Sequence, residues 1–418
     1  WRISEEKFAQ NINWLSNLKL RMSYGKAGSD RGTPHQYIDG YILGGGLGYA
    51  FTEGTWTQGI AMPQLLNKKL TWSTSTTWDI GCDIGILDNC LSLEFDVFQR
   101  DNTGELGTQL LSVPNTAGFN LPQMNINHSR NQGFETSLGY NNHIGNFFYG
   151  IRGNFTFTRS KWIYYERGDF ANSFDKWRNG INNRWSDFTW GYVVDEQFQN
   201  DNEILYAPIQ NGVNGNTLTL PGDYRYKDVN GDGIINNLDM VPSFYSGNPK
   251  LHYGVTLNGS WKNIDFSLLF QGSGKYTVRF SEVYAEVLAF ELNTPAYFFD
   301  RWHREDMYNL DSKWVPGKWP STRAVTYAGA NYHESGIWRK DASYIRFKNV
   351  EIGYTFPRKL TTTLGIENLR FYITGQNLLT ICDPFVKPFD PEKIEGINNS
   401  GFTYPVMKSL NFSVNINF

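Results

Sequence analysis

The chain has 418 residues, with 38 Lys and Arg against 41 Asp and Glu and a formal net charge of −3. That balance offers no basic surface for nucleic acid. The mean hydropathy is −0.47, and no apolar run of about 18 residues occurs, which excludes a transmembrane helix but not membrane strands, whose residues face lipid only alternately.

In chain order, alternation of apolar and polar residues predicts strands near 17–27, 72–87, 90–102, 131–142, 147–160, 250–262, 264–278, 341–356, 367–380 and 404–418. Short turns are expected at Asp88-Asn89, 141–145, Lys262-Asn263 and 357–367. Long segments fall at 28–71, 103–130, 161–249, 279–340 and 381–403. Short turns at one end and long loops at the other are the arrangement of an outer-membrane barrel. A soluble sandwich also alternates, but it would not need loops of about 60 to 90 residues at one end only. The first residues, from Trp1 to Glu6, carry neither an initiator Met nor a signal-peptide pattern. The chain therefore reads as a piece beginning partway through a longer protein.

The two faces of the predicted strands differ sharply. One presents Leu18, Leu20, Met22 and Tyr24, then Trp78, Ile80, Cys82, Ile84 and Ile86, then Leu91, Leu93, Phe95 and Val97. The other presents Lys19, Arg21, Asp79, Asp83, Glu94, Asp96, Glu135, Arg152, His252, Asp265 and Arg370. A Lys or Arg facing lipid at mid-bilayer costs about 2–4 kcal/mol, so this segregation suits a wall between lipid and a polar lumen. The last strand keeps the pattern, with Leu410, Phe412, Val414, Ile416 and Phe418 on one face. One strand changes phase between Phe347 and Val350, as a β-bulge near Lys348-Asn349 would cause, or as a first half standing above the membrane and packing elsewhere would. Cys82, Cys90 and Cys382 are an odd count. Cys82 is expected opposite Phe95, too far along the strand from Cys90 for a disulfide.

These segments resemble the C-terminal half of the SusC/RagA family of TonB-dependent outer-membrane transporters. The matching stretches include Asn17-Leu-Lys-Leu-Arg-Met-Ser-Tyr-Gly25, Trp78-Asp-Ile-Gly-Cys-Asp-Ile-Gly85, Asn131-Gln-Gly-Phe-Glu135 and Trp190-Gly-Tyr192. Tyr226-Lys-Asp-Val-Asn-Gly-Asp-Gly233, Tyr344-Ile-Arg-Phe-Lys-Asn349, Gly353-Tyr-Thr-Phe-Pro357 and Gly375-Gln-Asn-Leu378 follow in the family's order. The resemblance implies an all-β fold, an antiparallel transmembrane barrel of about 22 strands of which this chain holds roughly the last ten. It implies outer-membrane localisation, a SusD-like lipoprotein partner and TonB coupling through a segment this chain does not contain. The nutrient it implies is a glycan or oligosaccharide, with oligopeptide import or a non-transporting receptor or adhesin as alternatives.

Asp228-Val-Asn-Gly-Asp-Gly-Ile-Ile-Asn-Asn-Leu-Asp239 has the spacing of a calcium loop. Asp228, Asn230, Asp232 and Asp239 supply hard oxygens at positions 1, 3, 5 and 12, Ile234 a carbonyl at 7, and Gly233 the turn at 6. Position 12 is Asp rather than Glu, and no clear helix precedes the loop. The expectation is a structural Ca²⁺ bracing 161–249, against a plain Asn/Asp/Gly turn.

The long loops are aromatic. Trp177, Trp185 and Trp190 lie in 161–249; Trp314 and Trp319 lie in 279–340 with Trp302, Tyr327, Tyr332 and Trp338. The first five are candidate substrate or partner contacts, since flat rings stack on sugars and Trp is enriched at interfaces. The same rings could instead form a core for the loops. Gly44-Gly-Gly-Leu-Gly48 is expected to be a flexible loop tip. No GxSxG or HExxH pattern occurs and the six histidines are scattered, so no enzyme is expected.

Overall fold

The computed structural model describes residues 1–32, 38, 41–61, 66–109, 121–210, 215–280, 284–287, 293–323, 329–392 and 404–418. All ten expected strands are present: β1 (Leu15–Ser29), β2 (Ser73–Ile86), β3 (Leu91–Thr108), β4 (Gln123–Ile144), β5 (Phe147–Tyr164), β6 (Leu251–Trp261), β7 (Ile264–Gly274), β8 (Tyr344–Thr355), β9 (Asn368–Ile381) and β10 (Ser409–Asn417). They form one sheet whose order is the chain order. The ladders β1–β2, β2–β3, β6–β7, β7–β8, β8–β9 and β9–β10 are antiparallel. Two compact units are distinguished: Trp1–Leu138 with Thr156–Ser186, and Gly139–Phe155 with Asp187–Phe418.

In the first unit the register stacks like on like. Leu20, Cys82 and Phe95 form one row, and Met22, Ile80 and Val97 the next. Between them lie Arg21, Gly81 and Asp96, and before the first lie Lys19, Asp83 and Glu94, both rows on the opposite face. Met22 is 77 % exposed, as a side chain facing lipid would be in an isolated chain. Arg21 donates to Asp83 and Asp96, each at 2.9 Å. The acidic residues of this face thus include ion-pair partners of the wall. Cys82 pairs with Phe95 as expected, and all three cysteines are free.

Strands β3 and β4 run well beyond their expected limits of 90–102 and 131–142. Their extensions, 103–108 and 123–130, hold only Leu106, Met124 and Ile126 as apolar residues, too few for a sustained period-2 signal. Side chains hold them instead: Arg130 and His128 meet Asp101 at 2.7 and 3.2 Å, and Asn125 donates to the Gly104 carbonyl at 2.8 Å.

The 28–71 segment contains a hairpin, Ile42–Thr52 with Thr55–Ala61. Gly44–Gly48 lies within its first strand and is not the tip, which is Glu53-Gly54. The register jumps between Leu43 and Gly48, five residues against two on the partner strand. Glycines tolerate such a bulge because they lack a Cβ.

In the second unit the rows continue: Ile264, Tyr354, Phe371 and Val414, then Phe266, Ile352, Ile373 and Phe412. On the other face Arg370 bridges Asp265 and Glu351. The expected bulge is present. Both neighbours of β8 step over Lys348, Leu269 pairing with Asn349 and Phe270 with Phe347 on one side, Leu379 with Phe347 and Gln376 with Asn349 on the other.

Candidate functional site

The loops of the second unit fold into a body of their own. Four two-stranded ladders tie them: Phe188–Gly191 with Val241–Tyr245, Val194–Gln197 with Tyr224–Tyr226, Thr277–Arg279 with Arg339–Asp341, and His303–Arg304 with Trp314–Val315. A core of Phe280, Phe298, Trp319, Trp338 and Tyr344 is buried among them. A smaller one joins Tyr224, Tyr226 and Ile235 to Tyr192 and Ile337. The 218–226 segment is pinned at Asp223 to Arg323 and Asn331. This carboxylate accepts from Arg323 at 3.0 Å and from Asn331 at 2.9 Å, and Asn331 in turn accepts from the Tyr224 amide. Burial pushes the Tyr224 and Tyr226 phenols up and the His333 imidazole down. His333 lies 4.8 Å from Tyr192 and 5.4 Å from Tyr226, ring to ring.

The five candidate tryptophans are divided between the units, Trp190, Trp314 and Trp319 in the second and Trp177 and Trp185 in the first. Trp319 is buried in the loop core, stacked on Trp338 at 5.3 Å, so packing occupies its ring. Trp190 is half-buried against Phe188. Trp314 is covered on one face by the Arg304 guanidinium at 4.2 Å. In the first unit, Trp185 lies under Arg159 and Lys161, at 4.2 and 4.8 Å, and Trp177 is exposed beside Phe174. Cations over indole faces stabilise such rings in place. Tyr327 lies outside the described residues.

The 228–239 loop is closed by its own carboxylates. Asp228 accepts from the amides of Gly233 and Gly231 at 2.8 and 2.7 Å, which holds its carboxyl below the usual carboxylate range. Asp239 is fully buried and accepts from Val229 at 2.9 Å and Asn236 at 2.8 Å, joining the two ends of the loop. The Ile209 amide donates to the Gly233 carbonyl and its carbonyl accepts from Ile235, at 2.9 and 2.8 Å. Gly231 and Gly233 have φ of 77° and 81°, the left-handed backbone a tight loop needs. Among the described residues no group of three or more His, Cys, Asp and Glu is arranged to hold a metal by itself. A cation here would draw on the Asn230 amide oxygen and the Ile234 carbonyl beside the carboxylates. That mixed oxygen set fits Ca²⁺.

The profile described as TonB dependent receptor-like, beta-barrel matches residues 7–244. The chain belongs to this family. It is 28% identical over 453 residues to TonB-dependent receptor P26 of Formosa agariphila, covering 100% of this chain and 41% of that protein. It is 26% identical over 416 residues to TonB-dependent receptor SusC of Bacteroides thetaiotaomicron, covering 95% of this chain and 37% of that one. Among solved structures, the RagAB peptide importer in its open-open state superposes with a TM-score of 0.69 at 17% identity, over 100% of this chain and 42% of that one. The chain thus spans about two-fifths of the length of these relatives. It is part of a TonB-dependent receptor β-barrel of the outer membrane.

Sequence reasoning missed Phe244, whose ring rests against Gly191, where a Cβ would overlap it. The only local sign was the small residue in Trp190-Gly-Tyr192. It also missed the cluster that joins Asp223 to Arg323 and Asn331, 100 and 108 residues further along the chain.

Proposed function

We propose that the intact protein imports an oligosaccharide across the outer membrane, with TonB supplying the work and a SusD-like surface lipoprotein closing over the loops. The two faces of the sheet carry this reading. Apolar rows such as Met22, Ile80 and Val97 would meet lipid, and the Arg21 and Arg370 networks would line a polar lumen. Aromatic rings in the loops, Trp177 and Trp314 among them, support a sugar as cargo. A partner surface is supported by Met307, Tyr308 and Leu310, exposed on a turn that Asp306 and Ser312 brace from within. A preorganised turn loses little entropy on docking. TonB-dependent uptake of labelled oligosaccharides by cells carrying the full gene, absent from a deletion strain, is the test. Uptake of peptides alone would favour the second reading, oligopeptide import, the activity named for RagAB. Binding without TonB-dependent uptake would make the protein a surface receptor or adhesin.

Calcium is proposed as a structural ion held by Asp228, Asn230, Asp232, Ile234 and Asp239. Bound there, it would supply charge compensation and rigidity rather than chemistry on the cargo. The chain's own residues already shape the loop, and Ile235 carries its order into the small aromatic core. Calorimetric titration of Ca²⁺ into the intact protein, with Asp228→Asn and Asp239→Asn variants as controls, tests the assignment.

A further inference from the structure

A cavity of about 740 Å³ opens in the loop body of the second unit. That volume lies within the range of small-ligand sites. Its walls come from five segments, 192–199, Tyr224, 243–244, Lys318 and 336–337, and backbone bonds fix the first beside its neighbours: Tyr192 donates to Glu334 at 2.7 Å, Phe198 to Asp223 at 3.0 Å, Gly222 to Phe198 at 2.7 Å and Lys227 to Val193 at 2.9 Å. The lining combines the aromatic residues Tyr192, Tyr224 and Phe244 with the polar residues Asp195, Glu196, Gln199 and Lys318.

Gly191 and Gly336 seat the Phe244 ring. A Cβ on Gly191 would overlap the ring edge, and one on Gly336 would touch it at 3.8 Å. Asp195 and Glu196 both accept from the Arg225 guanidinium, each through one oxygen, so each carboxylate keeps further lone pairs. Lys318 can only donate, and the carboxylates can only accept.

This inventory selects among ligands. An anion would meet the carboxylates of Asp195 and Glu196, and a cation would meet Lys318. An apolar molecule would strip water from these three charges without replacing it. A neutral polyol ring satisfies every side at once. Its hydroxyls donate to Asp195 and Glu196 and accept from Lys318, and its C–H face suits the electron-rich face of Phe244. We infer that this cavity is a subsite for a short neutral stretch of oligosaccharide, with Phe244 as its platform and Asp195, Glu196 and Lys318 as its polar contacts. The inference rests on the oligosaccharide-import reading and names the part of the loops that selects neutral sugars.

The test uses the full-length transporter in detergent, titrated calorimetrically with maltotriose, cellotriose, xylotriose and laminaritriose, and with trigalacturonate and tetra-alanine as comparators. At least one neutral trisaccharide should bind. Phe244→Leu should weaken that binding tenfold or more, Phe244→Tyr should retain it, and Gly191→Ala should weaken it by displacing the ring. Limited proteolysis unchanged from wild type would show that the variants fold. Neutral-sugar binding that survives both Phe244→Leu and Gly191→Ala would overturn the subsite while leaving oligosaccharide import standing. Binding of trigalacturonate or tetra-alanine alone, or of no trisaccharide, would overturn the neutral-sugar assignment. Peptide uptake by cells, in place of sugar uptake, would remove the import reading beneath it.

Discussion

Arg21 on β1 reaches across β2 to Asp96 on β3, 2.9 Å away. Gly81 stands between them in the register, and a Cβ there would overlap the Asp96 carboxylate. The glycine is thus the gap through which one cation ties three strands. Gly81→Ala should push Asp96 aside and weaken a charge-assisted hydrogen bond, at a cost of about 1–3 kcal/mol. The heat-induced mobility shift of the intact barrel on gels would move to lower temperature. An unshifted transition would show that Arg21 is satisfied by Asp83 alone.

The apolar rows make a separate prediction. Ile80 lies mid-strand between Met22 and Val97. Ile80→Arg should destabilise the membrane-embedded barrel by about 2–4 kcal/mol, whereas Ser23→Arg on the opposite face should be tolerated. Equal surface levels of both variants would contradict the assignment of faces.

Asp239 is buried and holds both ends of its loop through backbone amides. Asp239→Ala leaves those amides unpaired and should cost about 2–4 kcal/mol locally. Proteolysis within 228–239 should quicken in this variant, and in the wild type on chelating calcium. Cleavage that is indifferent to chelator would leave the loop as a self-sufficient turn.

His333 gives the loops a pH dependence. Burial lowers its folded pKa beneath the ordinary 6.5, so the unfolded loop binds the proton more readily. Stability is therefore complete above about pH 6.5 and declines as pH falls toward the folded value. Hydrogen exchange around Tyr192, Tyr226 and His333 should speed up between pH 7 and pH 5, and His333→Phe should abolish that change.

Tyr308 is 96 % exposed on its braced turn. If the turn docks a lipoprotein, Tyr308→Ala should weaken co-purification of the partner, by about 2 kcal/mol or more for a central contact. Undiminished co-purification would move the interface elsewhere on the loops.

The strands were written in the sequence because a sheet between lipid and a polar lumen imposes period 2 on every residue it contains. Even the Lys348 bulge and the isolation of Cys82 from Cys90 followed from counting along that period. The extensions of β3 and β4 were invisible for the converse reason, since Leu106, Met124 and Ile126 are too few apolar residues to mark an alternation. Tertiary structure alone decided the loops. Aromatic composition could not tell that Trp319 is core while Trp177 is exposed, nor that Phe244 settles against Gly191 and Gly336 to floor a cavity. Those outcomes depend on contacts such as Tyr224 with Asn331, 107 residues apart, which leave no local pattern and exist only once the loops have packed.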